Sequence, residues 1–383
     1  MLIRGVVSSP IRGVVGSPVL SGGFSLAAFM ASQSDGFWYD FTKTDRLFQE
    51  DVGPTPADDP NEVIGLALSQ RLWGGKTLAQ VVAEASAAVA DSFTDASSAP
   101  GTASWSAGDL TLTALSGGTA RGRLSYTVTP GVYAVTWRRT GGTSDATLDI
   151  GVTAGGSTLA AGQLVSAVAR TVYVSVTGTA LWLNFYRGAV NSAVVSEISV
   201  KRIGGQAALQ ATTSFKPKYQ TAGAAFDGTD DNLLTGYTAG SGANFLIAKV
   251  KVPASISVVG IISGAINSGA GRFWLGIDTA GRLIGGVGNQ SLSTIIGTSD
   301  LRGRTATVAL SADGGLVRLF ADNALEYEGA QTGTPSSVNP FRIGALSDSV
   351  ATTFFGGSIE HVLAGREFID LARFIQIANA LGV

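Results

Sequence analysis

GRLSYTVTPGVYAVTWRR, residues 122–139, decides the fold. Its residues alternate with a period of two, and Tyr133, Val135 and Trp137 fall on one face, the pattern of a half-buried strand with its aromatic side in a core. Working outward, SWSAGDLTLTAL (104–115), ATLDIGVT (146–153), RTVYVSVTG (170–178), ALWLNFYRG (180–188) and SEISVKRI (196–203) repeat the pattern. Gly, Ser and Thr turns separate them at intervals typical of sandwiches, so residues 92–203 read as one β-sandwich.

Composition agrees. The 383 residues include 51 Gly and only 14% charged residues, which favours an all-β chain of more than one domain. The net charge is −2 with no basic run, so no nucleic-acid footprint is expected. With no Cys and a single His, His361, thiolate chemistry, His-pair metal sites and most familiar triads are excluded. Mean hydropathy is +0.28, yet no apolar run of about 18 residues exists to insert in a membrane. GFSLAAFMAS follows a segment with two Pro and two Arg, a poor charged leader. The chain is therefore expected to carry no signal peptide and to be made whole in a cytoplasm.

The N-terminus holds a tandem octapeptide, IRGVVSSP followed by IRGVVGSP. Pro10 and Pro18 forbid a continuous helix and push Ser9 and Ser17 towards extended backbone. Eight extended residues reach roughly 26 Å and cannot fold on themselves. Ile3, Val6, Val7, Pro10, Ile11, Val14, Val15 and Pro18 are thus expected to lie on a partner surface. Residues 1–36 read as an extended anchor, and 37–91 as an irregular connector. The connector ends in a short helix with Leu78, Val81, Val82, Ala85, Ala88 and Val89 at helical spacing. That thin stripe is expected to pack on a neighbouring domain, or around an oligomer axis. GGQAALQATTSFKPKYQ reads as a linker. A second β-rich unit, 204–383, closes with FIDLARFIQIANAL, a short amphipathic helix through Leu371, Phe374, Ile375 and Ala378. The fold class is all-β, with two jelly-roll sandwiches in tandem, an extended N-terminal anchor and a short helix.

In the second unit AAFDGTDDNLLTG resembles the opening hairpin of laminin-G-like, concanavalin-type jelly rolls. FLIAKVKV, GRFWLGIDTAGRLIGG, TATVALSADGGLVRLFADNALEYEG and FRIGALSDSVATTFFGGSIEHVLAGREF resemble that family's successive strands. The 92–203 unit is similar to carbohydrate-binding-module sandwiches through PGVYAVTW and EISVKRI. The whole layout resembles virion proteins of tailed phages and gene transfer agents of alphaproteobacteria. The resemblance implies docking on head or tail through the N-terminal peptide, which other virion proteins would receive by strand addition or in a groove. It also implies a homo-oligomer, trimer or pentamer, whose sandwiches engage host surface polysaccharide. No enzymatic activity is expected. A spacer or base for another fibre protein is the alternative, and a capsule depolymerase the third reading.

A glycan platform needs flat rings displayed on a strand. In ALWLNFYRG, Leu181, Leu183 and Phe185 form the core face, leaving Trp182, Asn184 and Tyr186 opposite with Arg187 beside them. In GRFWLGID, Phe273, Leu275 and Ile277 form the inner set and leave Arg272, Trp274 and Asp278 outward. Those seven are the candidate carbohydrate-binding residues, to be weighed against burial under the connector or at a subunit contact. Asp227, Asp230 and Asp231 offer oxygen ligands for Ca²⁺, although Asp-Gly and Asp-Asn turn chemistry explains them more simply; no other cofactor is expected. A depolymerase would need two carboxylates. Glu326 and Glu328 lie on one strand face roughly 7 Å apart and read as solvated. His361 and Glu360, being adjacent on a strand, point to opposite faces and make no dyad.

Overall fold

Alternation in sequence becomes alternation in burial. In the computed structural model, which describes residues 24–50, 55–204, 206–266, 271–289, 295–333, 335, 339–348 and 350–382, Leu181, Leu183 and Phe185 have no exposed surface while Trp182 and Tyr186 are half-buried. The chain is all-β. Their strand, Ala180–Arg187, is the centre of a five-stranded sheet with neighbours Ala146–Gly151 and Ala120–Thr127. A second five-stranded sheet, centred on Asn191–Arg202 beside Gly131–Gly142, closes the sandwich. Trp137 lies in the core between them at 0% exposure, its indole N–H donating to the Leu164 carbonyl. The octapeptides, and with them all eight anchor residues, lie outside the described residues.

The second sandwich faces an eight-stranded sheet against one of eleven strands. It does not begin at residue 204. Gly36–Asp40 enters the eight-stranded sheet antiparallel to Gly356–Gly365, with Gly36 opposite Gly365 and Asp40 opposite His361. Leu47–Phe48 and Leu66–Leu68 build one edge of the eleven-stranded sheet, and Leu66–Leu68 pairs with Ala207–Leu209, Leu68 opposite Ala207. The first sandwich is therefore an insertion between two paired strands of the second. The expected tandem order, with an irregular connector and a linker, is corrected accordingly. Phe37, Tyr39 and Phe41 have no exposed surface, and Phe37 packs against Tyr237 with ring centroids 5.4 Å apart. Burying such rings is what holds a short aromatic strand in a sheet.

Residues 24–36 are not an extended anchor either. Helix α1, Leu26–Ser32, capped by the Ser25 hydroxyl, lies with helix α3, Leu371–Ala380, on the outer face of the eight-stranded sheet. Leu26, Phe29, Met30, Phe374, Ile377 and Ala378 cover Phe245, Ile247 and Leu363 there. Between them in sequence, helix α2, Leu78–Glu84, starts at a capping box of Thr77 and Gln80. It stops short of the expected stripe because Ala88 N–H donates to the Val200 carbonyl at 2.7 Å, drawing the chain onto the sandwich edge. Leu78, Val81 and Val82 join Trp73, Phe48, Val132 and Ile203 in an apolar cluster that fixes the insertion to its host. That part of the stripe packs on a neighbouring domain within the chain, as expected, whereas Val89 is exposed. The three helices are 7, 7 and 10 residues long, and none among the described residues is long and apolar enough to cross a membrane.

Candidate carbohydrate-binding surfaces

On the outer face of the first sandwich, Trp182 pairs across to Ser125 and Gly151, Asn184 to Arg123 and Asp149, and Tyr186 to Arg121 and Thr147. The Arg121 guanidinium lies over the Tyr186 ring at 5.7 Å. Both rings are part-exposed on this face. Asn184 is not. It is 2% exposed, its Oδ1 accepting from Gly155 N–H at 2.7 Å and its Nδ2 donating to the Gly156 carbonyl at 2.9 Å. Asn184 thus holds the 152–158 loop down on the sheet between the two rings and is no ligand group. Arg187 is drawn aside to the Asp145 carbonyl. What remains is two aromatic stations about 13 Å apart along one strand.

The outward set of GRFWLGID is not a site. Trp274 is 2% exposed, packed with Ile261 and Ile284 beneath Leu346 and Ile296. Its ring lies against Gly286 and its Cβ against Gly264, its two cross-strand partners. A Cβ on Gly286 would sit 2.0 Å from the Trp274 indole nitrogen, and one on Gly264 2.3 Å from its Cβ. Asp278 takes the N–H groups of Ala280 and Arg282 and pairs with the Arg282 guanidinium at 2.8 Å, closing a turn. Arg272 is half-buried at the strand start.

The aspartates of FDGTDDN do come together, with a ligand atom from each of Asp227, Asp230 and Asp231 within 4.8 Å of the others. Turn chemistry accounts for two of them. Asp227 Oδ1 accepts from the N–H groups of Thr229, Asp230 and Asp231, and Asp231 Oδ2 accepts from Asp227 N–H at 2.9 Å. Burial, reinforced by the charges of Asp227 and Asp230, pushes the Asp231 carboxyl up to about 6. A bound dication would reverse that shift.

Glu328 is exposed and Glu326 part-exposed, as expected, and each is engaged by neighbours. Glu326 accepts from the backbone N–H and hydroxyl groups of both Thr298 and Ser299. Burial acts upward on it, but those four bonds prevail and hold its pKa below the usual range. Glu328 pairs with Arg318 at 2.6 Å. His361 faces Asp40, its Nδ1 3.5 Å from the carboxylate, a pair that the sequence reading missed because Asp40 belongs to the supposed connector. Both are largely enclosed, and burial lowers the His361 pKa.

No protein-family model matches the chain, and no curated protein does. Among solved structures it is similar to the CBM40 module of Ruminococcus gnavus IT-sialidase, at TM-score 0.31 and 23% identity over 36% of this chain and 83% of that one. It is also similar to Trypanosoma rangeli sialidase, at TM-score 0.36 and 12% identity over 47% of this chain and 30% of that one. At such overlap the likenesses say nothing of activity or ligand.

Proposed function

We propose that this chain is a non-enzymatic attachment protein that binds surface polysaccharide. The observation that carries the reading is the outer face of the inserted sandwich, where Trp182 and the Arg121-capped Tyr186 are each part-exposed on one strand. Flat rings fixed at two stations suit successive units of a polymer, because each covers the apolar face of a sugar at little conformational cost. Attachment to a virion, in several copies that multiply weak single-site affinity, rests on the likeness of the sequence layout to phage and gene-transfer-agent proteins. That layout is also the ground for docking on other virion proteins through the octapeptides, and for a trimer or pentamer.

The test is adsorption of the full-length chain to encapsulated cells and to the same cells stripped of capsule. Each ring contributes about 0.5–1.5 kcal/mol, so Trp182→Ala or Tyr186→Ala should weaken capsule-dependent adsorption roughly two- to tenfold. Adsorption indifferent to the capsule overturns the reading and leaves the chain as a spacer.

A further inference from the structure

The second sandwich holds a cleft of about 370 Å³ whose walls come from three separate segments: Gln210, Thr212 and Phe215; Asp230 and Asn232; and Arg342 with Phe354. Its volume is at the small end for ligand sites, which run to roughly 300–1,000 Å³. Two aromatic rings face it, and Phe215 is 38% exposed. The Arg342 guanidinium is half-buried, and burial lowers its pKa. It makes no ion pair among the described residues; its one hydrogen bond, Nη1 to Asn232 Oδ1, is 2.6 Å long, and its buried Nε has no partner there. The Asp230 carboxylate takes no hydrogen bond among the described residues either, although its carbonyl accepts from Asn232 Nδ2 at 2.8 Å. Asn232, 1% exposed, and Gln210, which donates to the Asn232 carbonyl at 3.2 Å, hold these walls in register.

The backbone next to Phe354 is shaped to present it. The pairing of Ala345–Asp348 with Val350–Phe354 shifts register between Ala345 and Leu346, leaving Thr353 unpaired with φ at +55°. A β-branched residue in that region is strained, and bulges of this kind re-aim the neighbouring side chain. Phe354 also lines a second cleft of about 360 Å³, with Ile256, Val258 and Asp227. The two clefts flank the hairpin that carries the aspartates and meet at that ring.

We propose that this cleft is a second sugar-binding site, taking a neutral pyranose unit of a polysaccharide whose chain continues past Phe354 into the neighbouring cleft. The inference rests on the polysaccharide reading above but on different residues. An unspent guanidinium donor, an unspent carboxylate acceptor and two rings match vicinal hydroxyls and an apolar sugar face. The Asp230 carboxylate in this cleft and that of Asp227 in the neighbouring one disfavour uronates, so the class proposed is neutral.

The full-length chain is run by affinity electrophoresis through gels containing dextran, galactomannan or polygalacturonate. The expected result is retardation by a neutral polymer. Phe215→Ala, on a ring already partly exposed, and Arg342→Gln should each weaken it at least about tenfold, and Trp182→Ala should leave the remaining binding dependent on both. Unchanged melting temperature shows that the variants fold, and Phe215→Ala alone decides if Arg342→Gln does not. Retardation that survives Phe215→Ala overturns the cleft, as does unaltered mobility in both neutral gels, while capsule-dependent adsorption still decides the wider reading. Stronger retardation by polygalacturonate overturns the neutral class.

Discussion

Trp274 shows what a single residue can hide. Alternation states which residues share a strand face, not whether that face is covered, so the sequence reading placed an indole in solvent where the fold buries it. A signal was present: Gly264 and Gly286 are its paired neighbours, and two glycines flanking a Trp across a sheet make room for its side chain. Trp274→Ala should therefore cost about 3–5 kcal/mol by leaving a cavity. Gly286→Ala should cost about 1–3 kcal/mol by overpacking against the indole. Urea unfolding of both variants checks this, and a Trp274→Ala protein as stable as wild type would falsify this packing.

At the level of elements, periodic strands were legible and non-periodic ones were not. FWYD in the supposed connector lacks polar alternation because both faces are buried, Phe37 and Tyr39 in the core and Trp38 beside the helices. Its partner strand lies at the other end of the sequence, beyond the reach of any local rule. The cleft at Arg342 was illegible for the same reason, its walls being distant segments without a motif. The Asp227–Asn232 hairpin was legible as a turn, and its electrostatics can be tested. The raised Asp231 pKa means that the native state holds this proton more tightly than the unfolded chain, whose value is near 3.8. The associated stability is complete below about pH 4 and is lost as pH rises through about 6. His361, its pKa lowered mainly by burial, acts in the opposite sense, weakening the fold below its ordinary value near 6.5. Comparing variant with wild type at each pH isolates the aspartate. Asp231→Asn keeps an acceptor for Asp227 N–H and should raise the melting temperature at pH 7.5 but not at pH 4. A lower melting temperature at pH 7.5, seen only with calcium present, would instead identify Asp231 as a cation ligand.

For the whole molecule, the insertion changes what counts as a separable part. Divided by sequence, residues 92–383 look like two complete sandwiches. In the fold that fragment lacks Gly36–Asp40, the partner of Gly356–Gly365 in one sheet, Leu47–Phe48 and Leu66–Leu68 from the edge of the other, and helix α1 from the outer face. Phe37, Tyr39 and Phe41 alone fill sites where truncating each ring costs about 3–5 kcal/mol, a total of order 10 kcal/mol against a typical stability of about 5–15 kcal/mol. A fragment starting at residue 92 should therefore fail to form the second sandwich while its 92–203 portion keeps its own core, and one starting at residue 24 should fold. Hydrogen exchange distinguishes these outcomes by the protection of Asn244–Lys251, which pairs with Gly356–Gly365 next to the missing strand. Full protection in the 92–383 fragment would mean that the N-terminal strands decorate a sandwich complete without them. The fold argues otherwise, because the chain reaches the insertion only after Leu66–Leu68 and returns directly onto its partner, Ala207–Leu209. The apolar cluster around Trp73 and Val132 then fixes the direction in which the inserted face, with Trp182 and Tyr186, is held out from its host.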